Sequence, residues 1–428
     1  MIGHQIKNYE ELATTPNRKL TLDIIEAGME AINTGKVINS SISLVGDILS
    51  VQGKKFNLAK FEKIKVVGFG KASADAAVAL EKILGSRIEK GVVISLQKAE
   101  CDYIETFAGA HPIPSRINME AGEKIYEIVK NSTEKDLVIV LVSGGGSSLL
   151  CYPESECVQG EQLYNSFLKS GKTIAEINTV RKHLSLVKGG GLAQAAYPAT
   201  VIGIIFSDIP GDNFENVASG PTYRDTTTMS DAEKIIRENN LGDFKLVETP
   251  KEKKYFKNVH NFVLVSNKVA VEAMAQKARE FNLGVSIVST NLYDEEEKAA
   301  KKLFLAKKDN TVVLAAGEPR IVVLKKGGKG GRNIYMGLEV LKDEMANEKN
   351  LTNSVFISFA SDGIDNSDMA GAIVDEKTKE KAEKSGLEAG KYLADFDSYT
   401  FFQNTGDLIN TGPTGANVSD LIILLNKK

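Results

Sequence analysis

Several short segments of this chain combine glycine with hydroxyl, carboxylate or cationic side chains. Ser143-Gly144-Gly145-Gly146-Ser147-Ser148 follows the apolar run 137–142. Three glycines give backbone N–H groups room to face an oxyanion, and the serines add hydroxyl donors at the start of the next helix. Ser143, Gly144, Gly145, Gly146 and Ser147 are therefore a candidate phosphate cradle, although a tight strand-to-helix turn explains the same residues without a ligand. It is not a Walker loop, because no Gly-Lys-Ser/Thr follows at the required spacing. Lys71 closes Gly68-Phe69-Gly70 at the expected start of an Ala-rich helix over 74–84. A cation there opposes the helix dipole, and an anion would complete the site; a lysine whose head escapes to solvent is the plain alternative. The basic segment 177–191 holds Asn178, Arg181, His183 and Lys188 before Gly189-Gly190-Gly191. Arg181 and Lys188 share a face if the segment is helical. A glycine run ending it has an entropic penalty with no evident structural return, which favours ligand contact over a merely solvated helix. Ser207-Asp208-Ile209-Pro210-Gly211-Asp212 places two carboxylates after another apolar run. Either Asp208 or Asp212 can bind Mg²⁺ or accept a proton there, and turn formation competes with both roles. In the second half, the basic Gly-rich segment 325–333 carries Arg332 and opens a helix at about Ile334. Contact with phosphate or carboxylate and a hairpin tip fit it equally.

Elements that hold such residues are visible as Val- and Ile-rich runs at 64–70, 91–95, 137–143 and 200–207, each followed by a Gly-containing loop and a helical pattern. Near-continuous apolar character marks strands covered on both faces, so the first half reads as an open parallel sheet flanked by helices. An amphipathic helix over 19–33 is expected to pack on that sheet. Lys-rich text near 251–254 after Pro250 suggests a boundary, giving domains 1–255 and 256–428. Runs at 262–266, 285–288, 312–315, 321–324, 355–359 and 421–425 predict strands of a second α/β domain. The 428 residues are 42% hydrophobic and 25% charged, with a net charge of -3. That balance argues against nucleic acid or an anionic membrane as the main partner. Apolar runs far shorter than a bilayer span and a polar start without a signal pattern lead to the expectation of a cytoplasmic protein. Three cysteines without CxxC spacing and four scattered histidines predict neither a disulfide framework nor a zinc site.

The ordered set Gly70-Lys71-Ala72, His111-Pro112-Ile113-Pro114, Ser143-Gly144-Gly145, Asn178 with 180–185, Lys188-Gly189-Gly190, Ser207-Asp208 with Gly211-Asp212, 218–222, Gly330-Gly331-Arg332-Asn333 and 411–415 closely resembles the glycerate 2-kinase family with a C-terminal MOFRL domain. The resemblance spans about residues 20–425. It implies a Rossmann-like N-terminal domain, a smaller MOFRL-type α/β domain, and ATP- and Mg²⁺-dependent phosphorylation of the C2 hydroxyl of D-glycerate. A homo-oligomer is compatible with it. The resemblance puts Lys71, an aspartate of the 207–212 loop and Arg332 at the catalytic centre. Asp208 directly follows its strand and is the more rigidly set, so it is expected to be the base, with Asp212 nearer the metal. Ser115, Pro319-Arg320, Ile334-Tyr335 and Ala360-Ser361 depart from the family's usual residues. Most lie in the second half and bear on the substrate more than on kinase chemistry. Other readings are a kinase of a related sugar acid, a hydroxypyruvate reductase-type dehydrogenase and a non-catalytic sugar-acid-phosphate sensor. The dehydrogenase lacks its fingerprint, since Ser73 replaces the third glycine and no acid follows the 91–95 run before Lys98.

Overall fold

The doubly covered apolar runs form the central strands of an open sheet. The computed structural model describes residues 3–170, 174–211, 213–323, 327–348 and 351–428. They divide into two compact units, one of residues 34–209 and 213–264, the other of 3–33, 210–211 and 265–428.

In the first unit, six strands lie side by side in the order Ile104–Ala108, Ile88–Ser95, Lys63–Phe69, Asp136–Ser143, Thr200–Phe206 and Val259–Val265. Numbered along the chain this is 3-2-1-4-5-6, and the first five pair in parallel. The strand order reverses between Lys63–Phe69 and Asp136–Ser143. In such a sheet ligands bind outside the carboxyl ends of the strands at this reversal. All of Asp136–Ser143 is buried, as expected for a strand with helices on both faces. A small antiparallel sheet, Ile42–Val45, Ile48–Val51 and Lys54–Asn57, belongs to the same unit.

In the second unit a mixed sheet runs Gly284–Leu292, Thr311–Gly317, Asp420–Asn426, Ser354–Ala360, Gly371–Val374 and Leu408–Ile409. Asp420–Asn426 is antiparallel to both neighbours, so Asp420 pairs with Gly317 on one side and Ala360 on the other.

Four expectations need correction. The domain cut at 255/256 is displaced at both ends. Strand Val259–Val265, expected in the second domain, completes the first sheet, and the N-terminal helix belongs with the C-terminal unit. That helix, Pro16–Ala31, is capped by the Thr15 side chain and meets Met274 of helix Asn267–Glu280 at Gly28. Its Arg18 is fully buried, with Nε donating to Asp375 Oδ2 at 2.7 Å and Nη1 to Asp407 Oδ1 at 2.8 Å. Removing one partner of such a group leaves an uncompensated buried charge, which fixes the helix where it is. Residues 321–323 form no strand, because Pro319 withholds a donor and the chain leaves the sheet after Gly317; Leu324, Lys325 and Lys326 lie outside the described residues. Finally, Cys151 and Cys157 form a disulfide. Their six-residue separation crosses the start of helix Glu154–Ser170, a proximity that sequence spacing alone did not suggest.

Candidate active site

At the switch point of the first unit, two loops are locked together. Gly70 N donates to Ile94 O at 3.2 Å, Lys71 N to Gly144 O at 2.8 Å, and Ala72 N to Ser143 Oγ at 3.0 Å. Ser73 Oγ donates to Gly70 O at 2.6 Å and Ile94 O at 2.8 Å. Lys71 is thereby fixed against the cradle immediately before helix Ser73–Leu84. Ser143 uses its hydroxyl in this lock and is 2% exposed, so it positions Lys71.

Gly145 adopts φ +76°, a left-handed turn, and a Cβ built there would stand 3.2 Å from Lys71 Cγ and 3.3 Å from His111 Cδ2. A Cβ at Gly144 would overlap the Asp208 carboxylate. Lys71, His111 and Asp208 thus surround the two glycines. Among the described residues, the N–H groups of Gly145, Gly146 and Ser147 donate to no protein acceptor, as an anion-binding turn requires. The helix that follows, Gly146–Leu149, is a single turn.

Ser147 continues a polar chain. Its Oγ lies 2.9 Å from Ser219 Oγ, Ser219 Oγ donates to Asn178 Oδ1 at 3.3 Å, and Arg181 Nη1 donates to the same oxygen at 3.4 Å. Burial lowers the Arg181 pKa despite the Glu156 charge. His111 is pushed below the ordinary histidine value by burial and by the charges of Lys71 and Arg181. It is a neutral imidazole beside two cations at neutral pH, and such a pocket favours an anionic ligand. Asn118, itself fully buried, ties this region to the helix Arg116–Lys130: its Oδ1 accepts from Ala110 N and Ser115 N, and its Nδ2 donates to Ser148 O at 3.2 Å.

Lys71, Gly144, Gly145, Gly146, Ser147, Asn178, Arg181 and Asp208 therefore come together. Lys188, Gly189 and Gly190 do different work from that expected. Helix Ile174–Lys182 ends before Lys188, so no shared face with Arg181 exists. Lys188 is fully buried, donates to Leu150 O at 2.7 Å and pairs with Glu156. Burial lowers its pKa although Glu156 opposes this. Gly189 N and Gly190 N donate to Ser219 O at 2.9 Å and Gly220 O at 2.8 Å. The two glycines shape the 218–220 turn, and Lys188 ties down Leu150 and Glu156. Asp212 lies outside the described residues. Ser219 and His111 were missed as site residues; consecutive positive φ angles at Ala218 and Ser219, 50° and 61°, mark the former as backbone held by its surroundings.

In the second unit Arg332 begins helix Arg332–Asp343 and borders a pocket of about 640 Å³ lined by Glu318, Arg320, Asp362, Ile364 and Asp420 among others. Its guanidinium binds the Asp420 carboxylate and lies 3.6 Å from Glu318 Oε1. Burial disfavours its charge, yet Asp420 and Glu318 outweigh this and raise its pKa.

A Rossmann-type sheet with a glycine-rich turn, a lysine and an aspartate at its switch point, in one chain with an arginine-bearing mixed-sheet unit, is the architecture of an α/β enzyme with its ligand site at the carboxyl edge of the sheet. Residues 20–249 match a domain of unknown function (DUF4147), and residues 311–420 match the MOFRL family. The chain is 33% identical over 439 residues to a glycerate 2-kinase of Pyrococcus horikoshii, covering 95% of this chain and 97% of the relative. It is 32% identical over 427 residues to a D-glycerate 2-kinase of Thermotoga maritima, with the same coverage. A crystal structure of a glycerate kinase from Thermotoga maritima superposes with a TM-score of 0.83 at 31% identity, covering 95% of this chain and 99% of that one. A Pyrococcus horikoshii crystal structure gives a TM-score of 0.81 at 30% identity, covering 96% and 98%. The chain belongs to the glycerate 2-kinase family.

Gly145→Val tests the cradle. A branched side chain on a left-handed backbone is expected to lower stability by roughly 1–3 kcal/mol. Its bulk also enters the space between Lys71 and His111, so calorimetry should show nucleotide affinity weakened about tenfold or more, or about 1.4 kcal/mol. Unchanged affinity would reduce the loop to a turn.

Proposed function

We propose that this glycerate kinase transfers the γ-phosphoryl group of ATP to the C2 hydroxyl of D-glycerate, giving 2-phosphoglycerate, with Mg²⁺. The observation that carries the reading is the convergence of the free cradle N–H groups, Lys71 and the Asp208 carboxylate at one sheet switch point. Phosphoryl transfer asks a protein for positioning and charge neutralisation more than for covalent chemistry. In this reading the cradle N–H groups hold nucleotide phosphate oxygens, and Lys71 and Arg181 neutralise their charge. Asp208 orients the C2 hydroxyl and accepts its proton late in the transfer. Arg332 neutralises the transferring phosphoryl group or holds the glycerate carboxylate, and its planar fork suits both.

Among the described residues no group of three or more His, Cys, Asp or Glu side chains could hold a metal ion. Mg²⁺ keeps several waters and takes one or two protein carboxylates together with substrate phosphates. Asp208 lies against Gly144 of the cradle, and Asp212, outside the described residues, is the proposed ligand. Bound there, the ion would neutralise phosphate charge.

A dehydrogenase reading has less support, since the Ser73 hydroxyl fills the place of the third fingerprint glycine and is committed to two backbone carbonyls. Phosphorus NMR of the product from ATP and D-glycerate tests the proposal. Attachment at C2 is expected, and attachment at C3 would sink the assignment of the substrate pose.

A further inference from the structure

Beneath Arg332 lies a buried polar network that the reaction just described leaves without a task. The Asp420 side chain is 2% exposed, against 37% for that of Arg332. Its carboxylate accepts from Arg332 Nε, from Nη2 at 3.4 Å, and from Asn333 Nδ2 at 2.8 Å. Asn333 is fixed in turn: Nδ2 also donates to Asp365 Oδ1 at 3.1 Å, and Oδ1 accepts from Ser358 Oγ at 2.6 Å. Asp365 accepts the backbone N–H groups of Asn333 at 3.2 Å and Ile334 at 2.8 Å, capping the helix that Arg332 begins. Three elements of the unit therefore hold one carboxylate under one edge of a guanidinium. Among the described residues Nη1 makes no hydrogen bond, and Arg332 borders the pocket.

We propose that Asp420 is a positioning residue, which grips the Nε edge of Arg332 and so fixes the Nη1 edge toward an anionic group of the substrate. The inference rests on the reading that Arg332 meets the glycerate carboxylate or the transferring phosphoryl group. A buried ion pair is poor value as a stabilising device, because desolvating a carboxylate offsets most of the attraction. An oriented donor pair is what it does supply, and misplacing a reacting group by about 1 Å lowers rates by on the order of 10²-fold.

The arrangement has a signature in pH. Burial pushes the Asp420 carboxyl up to about 7; Arg332 and Asn333 pull against this, and Asp365 adds to the rise. Asp365 is itself raised by burial. Glu318 faces the same guanidinium and Asp362 lines the same pocket. The competent form is the ionised one, since a protonated Asp420 releases Arg332 toward Glu318. Activity therefore rises with pH through about 7. Stability moves the other way. A carboxyl whose native pKa is raised contributes stability fully present below its unfolded value, and this contribution is lost as pH rises through the native value.

The test uses the full chain, with Asp420→Asn, Arg332→Lys and the double variant, assayed for kcat and KM across the neutral range and for thermal unfolding. Asp420→Asn is expected to lower kcat/KM by on the order of 10²-fold, to lose the limb near neutrality, and to melt no lower than wild type at alkaline pH. The double variant should lose no more than Arg332→Lys alone, because both remove one device. Additive losses, a retained limb or wild-type constants for Asp420→Asn overturn the proposal. Should Asp420→Asn fail to fold, Asp420→Glu, which keeps the charge and displaces the grip, must still impair kcat/KM, and wild-type values there overturn it too. Wild-type constants in Arg332→Lys would instead sink the underlying reading of Arg332, so the two failures are distinguishable.

Discussion

Arg332→Lys is expected to cut turnover by roughly 10³- to 10⁵-fold if the guanidinium neutralises the transferring phosphoryl group, the range found for arginine fingers. That corresponds to about 4–7 kcal/mol of transition-state stabilisation at 1.36 kcal/mol per decade. The structure gives the reason that lysine should not substitute. Arg332 spends Nε and Nη2 on Asp420 and still carries Nη1. An ammonium is one point of charge on a shorter reach, so the same carboxylate would draw it down and leave the pocket without a fixed donor. Steady-state kinetics separate the two roles. A fall confined to kcat marks an interaction made in the transition state, whereas a raised KM for glycerate with kcat preserved marks the carboxylate contact. If both constants stay at wild-type values while the melting temperature drops, Arg332 serves the Asp420 network and nothing more.

The buried strands were legible because they are covered on both faces. The runs at 64–70, 137–143 and 200–207 differ by a residue or so from the observed Lys63–Phe69, Asp136–Ser143 and Thr200–Phe206. The edge strand Ile104–Ala108 was not legible, since only Ile104 and Phe107 of it are buried and its sequence carries Glu105 and Thr106. Nor could periodicity say what an element packs on. The helix Pro16–Ala31 has an ordinary amphipathic pattern, and its partners Asp375 and Asp407 lie more than 350 residues along the chain. The same limit acts within the site. Lys71, Arg181 and Asp208 advertise themselves by charge at strand and helix ends, but so does Lys188, whose partner Glu156 is 32 residues away. Gly189 and Gly190 resemble ligand-approach glycines, and only their bonds to Ser219 and Gly220 reveal that they shape a turn. Asp420 opens an apolar strand, and its meaning comes from the two strands that flank it.

The Asp208→Asn variant keeps the shape of the side chain that lies over Gly144 and removes its basicity. If Asp208 accepts the C2 proton, kcat should fall by on the order of 10²- to 10⁴-fold while nucleotide affinity, measured by calorimetry, is retained. Retention is expected because the cradle donors belong to the backbone of Gly145, Gly146 and Ser147, and the Lys71–Ala72 backbone is held by Gly144 O and Ser143 Oγ. A carboxylate this close to a phosphate cradle opposes anion binding through its charge, so neutralising it should leave nucleotide affinity equal or slightly tighter. Asp212→Asn, in the proposed metal ligand, should instead raise the Mg²⁺ concentration needed for half-maximal rate, since one hard anionic oxygen is lost. A Mg²⁺ titration of both variants decides between the two roles. Rescue of Asp208→Asn by excess metal, together with an Asp212→Asn enzyme that metal cannot revive, would exchange the assignments. Full activity in both would remove the 207–212 segment from the chemistry and leave the cradle with phosphate binding alone.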